Sequence, residues 1–327
     1  MIHTLESIVF ERNLTEEESL NLLNLPDEEI LSLAALAFRV QRKYSPEYHV
    51  CSITNAKSGQ CKQNCSYCAQ SAFHKTNISS YPLVSEENLL KQAEEVYRTG
   101  VRHFGIVTSG YGFLHPNEEF DTILHAIERL RERFPDMEIC ASLGVLSEET
   151  ARMLVESGIR EYNHNLQVHP QRYAELVATT HTIEDRLQTL SFLRKYPIRI
   201  CSGCILGLGE TMEDRIQLAL LLRKMGVDII PINVLIPIQG TRMEKRPVPS
   251  VREVLFTVSV YRLILRDKVI KLAAGRETLM KDFQGLLLLS GANGFLTGGY
   301  LTTRGRSREE DKRFLEELFS IAHPSQQ

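Results

Sequence analysis

The sequence predicts an α/β fold, a (β/α)8 barrel of the TIM type with an N-terminal helical extension and a C-terminal helix. Three observations point there. Eight short strand-like stretches, 49–54, 101–108, 138–142, 161–165, 199–203, 229–236, 269–273 and 294–296, alternate with amphipathic stretches at 86–99, 117–134, 147–157, 182–195, 211–225, 250–265 and 278–289. Strands separated by helices pair in parallel, and eight of them close naturally into a barrel. The length, 327 residues, exceeds one average domain but is ordinary for such a barrel. Residues able to do chemistry also fall at the C-terminal ends of the strands, where barrels of this kind carry their sites. A doubly wound sheet is the alternative.

In chain order, 1–47 reads as a helical extension, 48–303 as the barrel and 304–327 as a tail with a last helix. Thr15 followed by Glu16, Glu17 and Glu18 is a capped, acidic helix start. Ile30, Leu31, Leu33, Ala34, Ala37 and Phe38 recur at helical spacing, which predicts an apolar face packed on the barrel. The run from Arg304 to Asp311 reads as a charged, solvated linker into a helix ending near Ile321.

Composition is that of a globular protein, 43% hydrophobic and 24% charged. The net charge of −3 and the lack of a basic run predict no nucleic-acid partner. No apolar run is long enough for a bilayer, and the start lacks a basic segment followed by an apolar one, so neither membrane nor secretion signal is expected. Seven Cys, an odd number with three clustered, fit a reducing cytoplasm and metal ligation better than disulfides.

The chemistry starts at Cys61-Lys62-Gln63-Asn64-Cys65-Ser66-Tyr67-Cys68. Thiolates hold soft metals and iron–sulfur clusters. Three of them leave one iron of a four-iron cube without a protein ligand, and an open position is where a metal site does chemistry. A structural zinc site is the alternative, with His74 as a possible fourth ligand.

This spacing, with an aromatic residue before the last Cys, resembles the motif of the radical S-adenosylmethionine (SAM) enzymes. That implies a [4Fe–4S] cluster on Cys61, Cys65 and Cys68 and SAM as cosubstrate. Further stretches resemble the biotin synthase family. They are Tyr162-Asn163-His164-Asn165-Leu166, Cys201-Ser202-Gly203, Gly207-Leu208-Gly209-Glu210-Thr211, Pro231-Ile232-Asn233, Ala274-Gly275-Arg276-Glu277, Ser290-Gly291-Ala292-Asn293 and Leu301-Thr302-Thr303. The resemblance implies sulfur insertion into dethiobiotin, with an auxiliary cluster as sulfur donor. It implies substrate contacts from Asn163, Asn165 and Asn233, whose amides donate and accept as a urea requires. It assigns Tyr67, Thr108, Ser109, Gln167, Arg186 and Ile236 to the cofactor. Gln167 stands where the family has Asp near the SAM ribose. An electron donor such as flavodoxin or ferredoxin and a homodimer are the expected partners.

The chain also departs from the family. An auxiliary [2Fe–2S] cluster there takes three Cys and one Arg. Cys140 and Cys201 match two of the Cys, but Gly105 occupies the place of the third and Lys271 that of the Arg. An ammonium is not equivalent to a guanidinium. Cys204 is an added thiol, in Cys201-Ser202-Gly203-Cys204. The expectation is an auxiliary cluster on Cys140, Cys201 and Cys204, four-iron rather than two-iron, with Lys271 beside it and Cys51 in the core. Rival functions are another radical SAM enzyme of this group, of the hydrogenase maturase or methylornithine synthase type, and a non-catalytic zinc barrel.

Overall fold

Eight strands form one closed parallel barrel in the computed structural model, which describes residues 2–299, 301 and 306–322. They are β1 (His49–Lys57), β2 (His103–Thr108), β3 (Glu138–Ser142), β4 (Glu161–Asn163), β5 (Arg199–Cys201), β6 (Ile229–Val234), β7 (Val269–Leu272) and β8 (Gly294–Thr297). Each strand pairs with its sequence neighbours, and β8 pairs with β1 to close the ring. A short strand, Cys204–Leu206, extends the line of β5 and pairs with β6. Gly112–Phe113 and Val145–Leu146 pair outside the barrel.

Three strands end earlier than the sequence pattern suggests, at Asn163, Cys201 and Val234. Side chains take over the pairing there. The Gly203 N–H donates to Asn165 Oδ1 at 3.0 Å, and the Ala274 N–H to Asn233 Oδ1 at 3.1 Å. The barrel mouth thus opens without orphaning its backbone donors.

Three helices precede the barrel: α1 (Ile2–Glu11), α2 (Glu16–Leu20) and α3 (Ile30–Tyr44). The outer ring comprises α4 (Glu86–Arg98), α5 (Glu118–Arg133), α6 (Glu148–Ser157), α7 (Tyr173–Leu176), α8 (Ile183–Leu193), α9 (Met212–Lys224), α10 (Val251–Ile264), α11 (Gln284–Leu288) and α12 (Arg308–Ala322). Their starts are written in the sequence: Thr15, Ser85, Asn117, Ser147, Thr182, Thr211 and Ser250 each accept from a backbone N–H of the first turn. The α3 face lies on α10 and buries Leu33, Ala34, Leu36, Ala37 and Val40, whereas Leu31, expected on that face, is exposed.

Two buried arginines fasten the ends of the barrel. Arg262 donates to the carbonyls of Gly291 and Lys268 and to Asn293 Oδ1, each at 2.7 Å, while Asn293 Nδ2 reaches the Ser45 carbonyl at 2.9 Å. Charge-assisted bonds of this kind tie α10, β8 and the end of α3 together. Arg276 meets Asp311 at 2.6 Å and the Leu296 carbonyl at 3.1 Å, which docks α12 on β8. Asp311 is therefore buried and paired, contrary to the reading of that run as solvated. Thr302, Thr303, Arg304 and Gly305 lie outside the described residues.

Candidate active site

A cavity of about 410 Å3 opens at the C-terminal mouth and continues down between the strands. Its lower wall follows from the strand register. In a staggered barrel one layer of inward side chains comes from alternate strands, each step across two strands advancing by two residues. Cys51 pairs with His103 and His103 with Glu138; two residues on is Cys140. Cys140 pairs with Glu161 and Glu161 with Arg199; two residues on is Cys201. Cys201 pairs with Ile229 and Ile229 with Val269; two residues on is Lys271. Lys271 pairs with Gly294 and Gly294 with His49; two residues on is Cys51 again. The steps return to their start, so Cys51, Cys140, Cys201 and Lys271 are the four members of one layer. All four line the cavity.

Beneath this layer lies buried charge. Lys271 Nζ is 3.4 Å from Glu161 Oε1, and His49 Nε2 is 3.4 Å from Glu161 Oε2. Burial alone would raise the Glu161 carboxyl, but Lys271 and His49 hold it below the usual carboxylate range. The His49 and His103 rings stack with centroids 3.9 Å apart, and Arg199 bonds Glu138 below them.

Above the layer, Cys61, Cys65 and Cys68 sit on the loop after β1 and line the same cavity. The loop is pinned to α7 and the residues after it: Ser66 donates to the Leu176 carbonyl at 2.6 Å, and Asn64 bonds Thr179 and Thr180. Burial pushes the Cys68 thiol up to about 12 and the Cys140 and Cys201 thiols up as well, so metal binding must displace protons. His74 turns its Nδ1 to the Cys68 carbonyl at 2.9 Å rather than completing a zinc site. Among the described residues, no three His, Cys, Asp or Glu are placed to hold a single ion. Thiolates on separate irons of a cluster need not converge so tightly.

Tyr67, Thr108, Ser109, Gln167, Arg186 and Ile236 all line the cavity, as do Asn163, Asn165 and Asn233. Arg186 is no surface charge: it donates to the Tyr173 hydroxyl at 2.5 Å and to the Asn165 carbonyl at 2.8 Å. Gln167 adopts a left-handed φ of 74° that non-glycine residues rarely tolerate. Backbone bonds to Gly203 and Ile205 hold it there, and its Nε2 donates to the Tyr67 hydroxyl at 2.9 Å. Gln167 Oε1 is buried without a protein partner, so it is free to accept from a bound hydroxyl. Asn163 donates to Cys201 Sγ at 3.1 Å and so links the polar wall to the thiol layer. Both ends of Asn233 bond the backbone, which leaves one N–H and one lone pair for a ligand.

The comparisons with known proteins agree with this geometry. Residues 56–222 match the radical SAM superfamily, and residues 231–318 match the biotin and thiamin synthesis associated domain. A biotin synthase from Pelodictyon phaeoclathratiforme is 50% identical over 314 residues, 94% of this chain and 93% of that protein. One from Chlorobaculum tepidum is 49% identical over 90% of this chain and 89% of that one. The chain belongs to the biotin synthase family. It is accordingly a radical SAM enzyme. Methylornithine synthase (PylB) shares the fold, with a TM-score of 0.81 and 18% identity over 96% of both chains. So does the hydrogenase maturase HydG, with a TM-score of 0.79 and 17% identity over 99% of this chain and 79% of that one.

Radical SAM membership implies a [4Fe–4S] cluster and SAM, and the biotin synthase family implies an auxiliary cluster. The donors fit both: one soft trio stands at the mouth and another in the layer below. The lower trio is not the expected one. Cys204 is turned away from the cavity into the core, in one hydrophobic cluster with Tyr261 of α10, and burial pushes its thiol up to about 12. The reason is parity. Cys204 lies three positions after Cys201, and along an extended chain an odd step reverses the face. Gly203 does not bend the strand enough to undo this; it faces β6 so closely that a Cβ would lie 2.0 Å from the Pro231 carbonyl oxygen. Cys51, expected in the core, is buried with Ala273 and Leu296, and it also lines the cavity. Sequence reasoning also missed Glu161 and His181, the latter with Nε2 3.9 Å from Cys65 Sγ. No local signal in the sequence marks Cys51, whose place follows from the register of the closed sheet.

Proposed function

We propose that this cavity inserts sulfur into dethiobiotin between two iron–sulfur clusters spaced along the barrel axis. One observation carries the reading: two thiol trios, one on a loop and one on strands, line a single cavity whose wall is polar on the side of β4–β6. Neither reacting carbon of dethiobiotin is acidic or electrophilic, so no acid, base or simple nucleophile suffices. When bound, the cluster on Cys61, Cys65 and Cys68 supplies the electron that splits SAM into methionine and a 5′-deoxyadenosyl radical. Overall, two SAM are consumed, two C–H bonds break with their hydrogens leaving in two 5′-deoxyadenosine, and two C–S bonds form to one sulfide whose two surplus electrons would pass to the irons of the auxiliary cluster.

The chain's own residues bind and exclude water. Gln167 Oε1 accepts from a SAM ribose hydroxyl, Tyr67 and Ile236 pack against the adenine, and Thr108 and Ser109 face the methionyl amine. The Arg186 guanidinium, held by Tyr173 and the Asn165 carbonyl, offers positive charge to the methionyl carboxylate. Asn163, Asn165 and Asn233 hold the ureido ring through donors and acceptors not used by the backbone. The auxiliary cluster is of the four-iron form, because the lower layer offers three thiols and its fourth member is an ammonium paired with Glu161, which has no lone pair for iron.

The unit that does this is the barrel assigned to residues 48–303, with helices α1–α3 and α12 packed on it. Electrons come from a flavodoxin or ferredoxin, and the enzyme pairs as a homodimer. No helix of the described residues is long and apolar enough to cross a membrane. Seven free cysteines support a reducing, cytoplasmic setting. Anaerobic turnover of the reconstituted enzyme with dethiobiotin, SAM and a reductant tests the reading by mass spectrometry. Biotin and 5′-deoxyadenosine are the expected products. Deoxyadenosine without biotin overturns the substrate, and neither product overturns the chemistry.

A further inference from the structure

The third thiol of the lower site is not where the family pattern puts it, on β2. That position is Gly105, and it is tight. A Cβ built there lies 3.0 Å from Cγ2 of Ile53 on β1, tighter than ordinary contact. It also stands one level above the layer of Cys140, because Gly105 pairs directly with Cys140 and same-layer residues come from alternate strands. Cys51, on the adjacent strand β1, completes the layer instead.

Burial agrees with this grouping, since all four side chains are buried and line the same cavity. The buried Lys271 ammonium, 3.4 Å from Glu161 Oε1, favours the thiolate forms of Cys51, Cys140 and Cys201. Cys51 in turn lies within electrostatic reach of both other thiols. Gly294 makes room for this convergence, since a Cβ there would press on Lys271 Cα at 2.8 Å. Cys204 does not line this cavity and packs in the hydrophobic core with Tyr261.

We propose that Cys51, Cys140 and Cys201, three members of one barrel layer, are the thiolate ligands of the auxiliary cluster. Lys271, the fourth member, faces that cluster as a hydrogen-bond donor and not as an iron ligand. The iron left without a protein ligand is then available to an exogenous sulfide or to substrate. This rests on the reading above that the lower cavity holds a cluster, and the test separates the two.

The background variant Cys61→Ala/Cys65→Ala/Cys68→Ala removes the upper trio, so any iron that remains is auxiliary. Anaerobic reconstitution, iron and sulfide analysis and Mössbauer spectra then read the lower site alone. Adding Cys51→Ala is expected to reduce auxiliary iron at least tenfold, to the level seen on adding Cys140→Ala. Adding Cys204→Ala is expected to leave iron, sulfide and spectrum unchanged. Auxiliary iron that survives Cys51→Ala, or vanishes with Cys204→Ala, overturns the ligand assignment. A background variant with no iron at all overturns the cluster reading itself. Cys51→Ala in the otherwise unaltered chain, still showing the upper cluster's spectrum, establishes that the barrel folds. If that signal is missing, the near-isosteric Cys51→Ser takes its place and is judged by the same outcomes.

Discussion

The two thiol trios are built by opposite means. The upper one lies on a single loop, in eight consecutive residues whose backbone is pinned by Ser66 and Asn64 to α7 and the residues after it. The lower one takes a single residue from each of β1, β3 and β5, with Lys271 from β7, and is held by the whole closed sheet. A loop site can be loaded and distorted locally, whereas a layer site moves only if strands move. The difference suits the roles proposed for them. The upper site must admit and release SAM, and the lower must hold a reactive sulfide at a constant distance from the substrate.

The largest effect should come from the loop. Cys65→Ala is expected to abolish SAM cleavage, with 5′-deoxyadenosine below detection, while the auxiliary cluster still assembles, as seen in its Mössbauer spectrum. Loss of both clusters would mean the two sites are not separately built. Next is the layer. Lys271→Met leaves the Glu161 carboxylate buried beside His49 without its ammonium. Breaking one side of a buried pair costs about 3–5 kcal/mol, to be read by urea unfolding of the cluster-free protein. Lys271→Met/Glu161→Gln, which removes both charges, should recover most of that loss. A single variant as stable as the parent would show that the pair does not anchor the layer.

A smaller effect is expected at the polar wall between the trios. Asn163→Ala removes an amide that donates to Cys201 Sγ and stands over the layer. Losing one neutral hydrogen bond to substrate and one to a ligand sulfur should cost about 1–3 kcal/mol. The expected result is a KM for dethiobiotin raised roughly ten- to a hundredfold, with uncoupled SAM cleavage persisting. An unchanged KM with a reduced kcat would assign Asn163 to the sulfur and not to the ureido ring.

The contrast also explains what could be read before the structure. The barrel was legible because alternation of period and capping residues are local, as Ser85, Asn117 and Thr211 show. The upper trio was legible because its spacing is contiguous. The lower one depends on stagger, which is a property of the closed sheet. Cys51 and Cys140 are 89 positions apart in the chain, and nothing local says that one faces the other. Cys204 misled for the complementary reason. Its closeness to Cys201 in sequence suggested a chelate, while strand parity sent it to the other face. Likewise Arg276 and Asn293, in stretches shared with the family, turn out to fasten elements together and do not line the cavity.

The finest test of the layer is to move its thiol back to β2. Gly105 has an ordinary extended backbone, so a side chain is allowed there; the obstacle is Ile53 at 3.0 Å. Gly105→Cys should therefore cost about 1–3 kcal/mol by overpacking, and Ile53→Ala, which removes the Cγ2 methyl in the way, should relieve that clash. In a Cys51→Ala background the same change returns a third thiol, but one level higher than Cys140, Cys201 and Lys271. Partial recovery of auxiliary iron is expected, with a Mössbauer spectrum unlike the parent's because the new ligand approaches from above. Full recovery of both iron content and spectrum would mean that the cavity accepts its cluster at either height and that the layer is not what fixes it. No recovery, with Ile53→Ala present to clear the space, would mean that height alone decides where the cluster can form.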